Sequence, residues 1–582
     1  MALPEPKKRI VVCCDGTWMD ADGDYQTPSN VTRIARAIRP NGIDTSVTPH
    51  QYIPQIVFYQ NGIGTGSPSL YDKVIGGATG EGLAEHIREA YSFICLNYNP
   101  GDEIFLLGFS RGAFTARSIS SLINAAGLLT AIGLEFFVQV FEDWEFQNKQ
   151  DFRTKWPDLP FKGHRPPVDP DYQKKLVETG LTRPNIKIKC VAVWDTVGGL
   201  GIPMIGLLPQ PPSRDFAFVD TRVENNIEYA FQALALDEHR RSFSPTIWDW
   251  PHTETYDLKS LKQCWFPGVH SDIGGSYDDT ALANLTLAWM VDHLDPILTI
   301  NHDYIMDWIK PVQKGDLSVR GRHQTFTKDG GMATVRNTAP HPRPWGLGKI
   351  HDSMSFLFKL GGSRVRTPGE YREQELASQH GVLFWMAWKI FHHFSHTFED
   401  KHHALPRLRR TNETIHSSVR IRMGKDGRGY NDKGKYDSSA LEGWVMHGTE
   451  TNPDTPIAQN NPGQVGKMKN VVWKKKVYKE QLIEPPAENG QKKGKVEIYQ
   501  GGGLTDTIEL EEEPLGTFER SILQMWPEID HDFDSIMPGT HKRDVNRAHT
   551  VPLHGHGQGV SNGVTPTMTD DPLKGKRRSE TS

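Results

Sequence analysis

Cysteine is scarce in this chain. Five occur among 582 residues: Cys13, Cys14, Cys95, Cys190 and Cys264. An odd number, none of them after Cys264, argues against a disulfide framework. Four of the five stand in or beside apolar, strand-like runs and read as buried free thiols of a reducing compartment. Cys13 and Cys14 are adjacent and have no Cys-x-x-Cys partner, which removes the zinc and dithiol-redox readings. Long hydrophobic runs are missing as well. None reaches the roughly 18 apolar residues of a membrane span, and the start, Met1 to Arg9, has no apolar signal core. No transmembrane segment and a cytoplasmic location are therefore expected. An excess of positive charge is also absent. With 66 Lys and Arg against 71 Asp and Glu, the formal net charge is -5, so no global field argues for nucleic acid. The basic cluster Lys574 to Arg578 reads as a solvated tail, with nuclear targeting as the alternative. No internal repeat is visible.

What is present is an alternation of apolar strand signals with helical periods. Arg9 to Cys14 reads as a strand broken by Asp15-Gly16-Thr17-Trp18, Val31 to Ile38 as a short helix, and Ile56 to Tyr59 as a second strand. Leu83, Ile87, Ala90 and Ile94 mark one face of a helix. Ile186 to Trp194 ends in a continuous apolar run, the mark of a strand buried on both faces. Val223, Ile227, Ala230, Phe231 and Leu234 fall at helical spacing and predict a helix. Leu261 to Val269 predicts a last strand, and Ala281 to His293 the helix after it.

The pattern predicts an α/β fold: an α/β-hydrolase-like, mostly parallel sheet with helices on both faces, plus a mixed C-terminal region. Along the chain this gives an N-terminal tail over 1–8, a catalytic domain over 9–300 and a polar loop over 301–345. A helical extension over 346–423, a loop-rich region with a small β unit over 424–540 and a disordered tail over 541–582 follow.

The chain is organised around Gly108-Phe109-Ser110-Arg111-Gly112. An apolar run enters this Gly-x-Ser-x-Gly pattern directly, and small residues at Ala113 and Ala116 let a following helix lie close to a sheet. A serine at the tip of a sharp strand-to-helix turn exposes its hydroxyl above the sheet. Glycines two residues to either side remove Cβ atoms that would collide there. The amide of Arg111 then points to where an oxyanion would form. The other reading is a tight structural turn.

A serine hydroxyl needs a base, and the base needs a carboxylate to hold its tautomer. Ser110, Asp195 and His270 follow one another in the order Ser, Asp, His, each where a predicted buried strand ends. Taken alone, Asp195 could be a turn former and His270 an ordinary polar residue; their joint placement favours the triad. Asp272 competes for the orienting role and, two residues past His270 on an extended segment, would line the site. A second oxyanion donor is expected from Gly16 or Thr17 beside Asp15, with Asn61-Gly62-Ile63-Gly64 as runner-up. The Asp-Gly-Thr run also suggests a haloacid-dehalogenase-type phosphatase, but Cys13 stands where that class needs its nucleophilic Asp. His392, His393 and His396, with His402 and His403 nearby, invite a metal reading, yet there is no His-Glu-x-x-His and no acidic partner within the pair. No metal and no cofactor are expected.

Six ordered motifs carry a resemblance. They are Cys14-Asp15-Gly16-Thr17-Trp18, Gly62-Ile63-Gly64-Thr65, Gly108 to Ala113, Trp194 to Gly198, Asp237-Glu238-His239-Arg240 and Gly268 to Gly275. Together they resemble an uncharacterised α/β-hydrolase family related to the catalytic domain of type VI secretion phospholipase effectors, over roughly residues 9 to 295. The resemblance implies serine lipase or phospholipase chemistry, with Ser110, Asp195 and His270 matching the family's triad. It implies a lipid or other ester substrate and transient contact with a membrane surface. The glycine-punctuated apolar loop 198–209 would suit an acyl chain, and the aromatic stretch 382–394 a membrane interface, although each also reads as ordinary packing. A non-catalytic α/β-hydrolase-fold binding or scaffold protein is the alternative to the enzyme.

Overall fold

The computed structural model describes residues 7–16, 27–45, 47–62, 80–147, 153–162, 170–197, 223–251, 255–310, 322–326, 332–336, 343–354, 363–372, 401–404, 406–447, 471–483, 495–499 and 506–536. Thr17, Gly64, the 198–209 loop, the 382–394 stretch and His392, His393 and His396 lie outside these residues.

Apolar runs build one mixed sheet of eleven strands. In chain order they are β1 (Arg9–Cys14), β2 (Asn41–Asp44), β3 (Gln51–Gln60), β4 (Glu103–Phe109), β5 (Ile188–Trp194), β6 (Ile227–Ala235), β7 (Ser260–Phe266), β8 (Glu413–His416), β9 (Trp444–His447), β10 (Val472–Val477) and β11 (Asp506–Glu513). Their spatial order is β9-β10-β11-β8-β7-β6-β5-β4-β1-β3-β2. The eight consecutive strands from β11 to β3 pair in parallel. Antiparallel strands close both ends, β2 beside β3 and the β10-β9 pair beside β11. The fold is thus α/β with a large, mostly parallel sheet.

Successive side chains point to opposite faces, and both faces are covered. In β1, Val11 and Cys13 join one buried cluster and Ile10, Val12 and Cys14 the other; in β4, Phe105, Leu107 and Phe109 oppose Ile104 and Leu106. The first cluster takes in Val31, Ile34 and Ala37 of α1 (Asn30–Ala37) and the apolar residues of a helix over Ala281–Leu294. The second takes in Leu83, Ile87, Ala90 and Ile94 of α2 (Gly80–Asn97) and Ala113, Ala116, Ile119 and Leu122 of α3 (Arg111–Ala126). α1 is started by Ser29, whose side chain accepts from the Thr32 amide. All five cysteines are buried and unpaired. No helix among the described residues is long and apolar enough to cross a membrane.

Two sequence expectations change here. The helix expected over Val223 to Leu234 is strand β6, paired in parallel with β5 on one side and β7 on the other. Ala230 to Ala235 are all buried, so neither the period-2 nor the period-3.6 pattern is diagnostic and the ladder decides. Its polar Gln232 is satisfied by Thr196 Oγ1 at 2.7 Å, the Thr246 carbonyl at 3.0 Å and Gln263 Oε1 at 3.2 Å. The sheet also crosses the division drawn at residue 300, because β8 pairs directly with β7 and brings β11, β10 and β9 with it.

Candidate active site

Parallel strands put their C-terminal ends along one rim, where α/β sheets offer sites. Five consecutive strands supply that rim here. Asp15 follows β1, Ser110 follows β4, Asp195 follows β5, Asp237 and Glu238 follow β6, and His270 lies shortly beyond β7. The ladders fix the spacing: Gly108 pairs with Cys14, Phe109 with Trp194, and Trp194 with Ala233.

Ser110 stands between β4 and α3 at φ 58° and ψ -121°, a conformation a side chain rarely adopts. The glycines around it are needed sterically. A Cβ on Gly108 would fall on the backbone of Gly112 and Ala113, and one on Gly112 on the carbonyls of Cys14 and Asp15. The Ser110 amide donates to the Trp194 carbonyl at 3.1 Å, tying the turn to the end of β5. Asp195 also has positive φ, 42°.

Asp195 and His270 are brought together. His270 Nδ1 lies 2.6 Å from Asp195 Oδ2, with both residues buried. The imidazole lies against Phe109, the residue before Ser110, at 4.7 Å between ring centroids, and meets Phe243 edge-on at 4.9 Å. His270 Nε2 is buried and has no hydrogen-bond partner among the described residues. Burial pushes the imidazole below its ordinary pKa, against the upward pull of Asp195, and Arg240 adds to the downward shift. Neutral imidazole is the form that can accept a proton.

The extended segment expected after His270 is instead the helix His270–Gly274. Residues two apart on a helix diverge, so the geometric argument for Asp272 beside His270 fails. Asp272 turns to the Val269 amide at 2.9 Å and to His351, whose amide lies at 3.1 Å and whose Nδ1 lies at 2.6 Å. Asp15 also turns inward. Its carboxylate accepts from Ser29 Oγ at 2.6 Å, Tyr59 OH at 2.7 Å and Thr32 Oγ1 at 2.8 Å. The Gly16 amide donates to Asp15 Oδ1 at 2.7 Å, so that expected oxyanion donor is engaged in this state. Gly16 does lie close to the turn: a Cβ there would be 2.8 Å from Phe109 Cδ1 and 3.4 Å from Ser110 Cβ.

Three neighbours carried no assigned role in the sequence. Glu238 accepts from the His270 amide at 3.2 Å, from Arg240 Nε at 3.0 Å and Nη2 at 2.9 Å, and from Ser353 Oγ at 3.0 Å. Arg240 lies over the Phe243 ring at 3.4 Å. Arg366, fully within the protein, donates to Asp195 Oδ1 at 2.5 Å and Oδ2 at 2.9 Å. The Asp-Glu-His-Arg motif marked the first two; nothing in the polar run Gly-Gly-Ser-Arg-Val-Arg distinguished the third.

The comparison with protein families agrees with the resemblance read from the motifs. Residues 8–293 match the family described as T6SS, Phospholipase effector Tle1-like, catalytic domain. An uncharacterized protein of Saccharomyces cerevisiae, YEL023C, is 29% identical over 252 residues, which is 40% of this chain and 32% of the yeast protein. The matched stretch thus spans about a third of that relative. A crystal structure of an uncharacterized protein from Pseudomonas aeruginosa is 16% identical, covering 51% of this chain and 47% of that one with a TM-score of 0.27.

Proposed function

Residues 8–293 are related to the catalytic-domain family of Tle1-like phospholipase effectors, and from that premise we propose that this chain is a serine-dependent hydrolase of lipid carboxylic esters with an α/β-hydrolase fold. The family suggests a phospholipase-like hydrolase; the mechanism is inferred from the rim. Ser110 Oγ attacks the ester carbonyl and His270 Nε2 takes its proton. Asp195 holds Nδ1–H and stabilises the imidazolium. The tetrahedral oxyanion is held by the Arg111 amide and by one amide of the loop after β1. Gly16 and Thr17 are the candidates for this second role, the Gly16 amide lying on Asp15 Oδ1 in this state. Collapse returns the proton to the departing alcohol and leaves an acyl-Ser110 ester. Water, deprotonated by His270, then releases the acid.

The observation that carries this reading is the Asp195–His270 pair, 2.6 Å apart, with Nε2 left unpartnered beside the strained Ser110 turn. A phospholipid at a membrane surface is the substrate the relationship favours, with the protein acting from the cytoplasm. The test is a fluorophosphonate probe followed by a panel of short-chain esters, phospholipids and thioesters. Labelling of the wild type and not of Ser110→Ala is expected, with ester turnover falling by about 10³-fold or more in the variant. Equal labelling of both rejects the nucleophile. A folded wild type that neither labels nor hydrolyses any panel member supports a binding or scaffold role.

A further inference from the structure

Arg366 lies beyond the matched residues 8–293, yet its guanidinium is on the triad carboxylate. Nη1 donates to Asp195 Oδ1 and to the Ala235 carbonyl at 2.7 Å; Nη2 donates to Asp195 Oδ2 and to the Phe243 carbonyl at 2.8 Å. The fork thus bridges both carboxylate oxygens and two backbone carbonyls, one at the end of β6 and one in the segment that lays Phe243 against His270. Asp195 Oδ1 takes a further bond from the Ala235 amide at 2.9 Å. Both oxygens are therefore fixed, and the carboxylate has one orientation, with Oδ2 toward His270. A bidentate guanidinium supplies this geometry, whereas a point-charge ammonium does not.

On the serine-hydrolase reading above, we propose that Arg366 is a positioning residue: it locks the Asp195 carboxylate toward His270 and keeps His270 uncharged at rest. The charge logic is simple. With Arg366 present, the buried set of Arg366, Asp195 and neutral His270 sums to zero, and protonating His270 would bury a net positive charge. Without Arg366 the set carries a net negative charge, and protonating His270 would neutralise it. Removing the guanidinium therefore raises the proton affinity of His270. The other groups facing the pair are Glu238 and Arg240, which neutralise one another at 2.9 Å, and Tyr371 on the segment of Arg366 itself. Burial would raise the Asp195 carboxyl; Arg366 first, then His270, hold it well below the ordinary range. The C-terminal half of the chain is thus part of the site.

The test measures fluorophosphonate labelling rate against pH for the full-length wild type, Arg366→Gln and Arg366→Lys. In Arg366→Gln the acid limb moves up by about one pH unit or more, so labelling falls about tenfold near pH 6 and recovers in alkali. Arg366→Lys keeps the charge and loses the fork. Its limb stays in place while its plateau rate drops about tenfold. An unmoved limb in Arg366→Gln, or a wild-type plateau in Arg366→Lys, overturns the proposal. The lysine variant decides alone if the glutamine variant does not fold. If the wild type does not label at all, the hydrolase reading falls instead. The His270 ring-proton titration, assigned by NMR with His270→Asn, still reports on Arg366: an unchanged midpoint in Arg366→Gln rejects its role.

Discussion

The imidazole of His270 rests on the ring of Phe109, with centroids 4.7 Å apart. Phe109 is thereby the joint of the rim. It ends β4 and carries Ser110, and it also abuts Gly16 of the loop after β1 and Gly274 at the end of the His270 helix, where any Cβ would strike its ring. Shortening this side chain loosens the seat of His270 without touching its bond to Asp195. Phe109→Leu should lower the fluorophosphonate labelling rate about 10- to 100-fold while costing about 1–3 kcal/mol of stability. Labelling kinetics and denaturant unfolding on the same samples check it, and an unchanged rate would show that the contact is only packing.

The Ser110 turn makes a separate forecast about stability. At φ 58° and ψ -121° a serine and an alanine are strained alike, whereas glycine is at ease. Ser110→Gly should therefore be more stable than wild type by about 1–2 kcal/mol, and Ser110→Ala should lie within about 1 kcal/mol of it. Both variants lose labelling. A gain in melting temperature confined to the glycine variant is the result to look for, and it would mark strain held at the Ser110 turn.

Glu238 links the site to acid stability. Burial raises its carboxyl, but the paired Arg240 guanidinium more than offsets this and holds it at about 2. A depressed carboxyl contributes stability that is full above its unfolded pKa, about 4.3, and is lost as pH falls through the folded value. Wild-type stability should thus fall between about pH 4.5 and 2, with this one group accounting for up to about 3 kcal/mol. Glu238→Gln should be less stable at pH 7 and show a flatter decline over that window. Urea titrations at a series of pH values check both the sign and the window.

Much of the rim was legible in the sequence because each of its residues ends an apolar run. Gly108, Ser110 and Gly112 have one spacing that a strand-to-helix turn demands, and the run before Asp195 announces a central strand by its continuity. What escaped reading has physical reasons. β6 is buried on both faces and contains Ala230, Ala233 and Ala235, so its apolar spacing fits a helix equally well until β5 and β7 pair with it. Arg366 reaches Asp195 across 171 residues, and no local pattern reports a contact of that range. His351 on Asp272 is invisible for the same reason, 79 residues away.

The same long reach predicts what happens when the chain is cut near residue 300. The C-terminal half is not a detachable appendage: β8 covers the β7 edge, pairing Thr414 with Cys264 and Ile415 with Trp265. Trp265 Nε1 donates to Glu413 Oε2 at 2.8 Å, and His416 stacks on Phe266 at 4.3 Å. A chain ending at residue 300 would uncover the β7 edge with its buried Cys264, Trp265 and Phe266 and leave Asp195 without Arg366, a buried carboxylate missing its cation. Loss of such a partner alone costs about 3–5 kcal/mol, a large share of a domain's net stability of about 5–15 kcal/mol. The 1–300 fragment should therefore be recovered as soluble aggregate or inclusion bodies, with no Ser110-dependent labelling, although it contains Ser110, Asp195 and His270. Size-exclusion chromatography and probe labelling of the fragment check this, and a monomeric, labelled fragment would mean that the matched region folds and acts without its C-terminal strands.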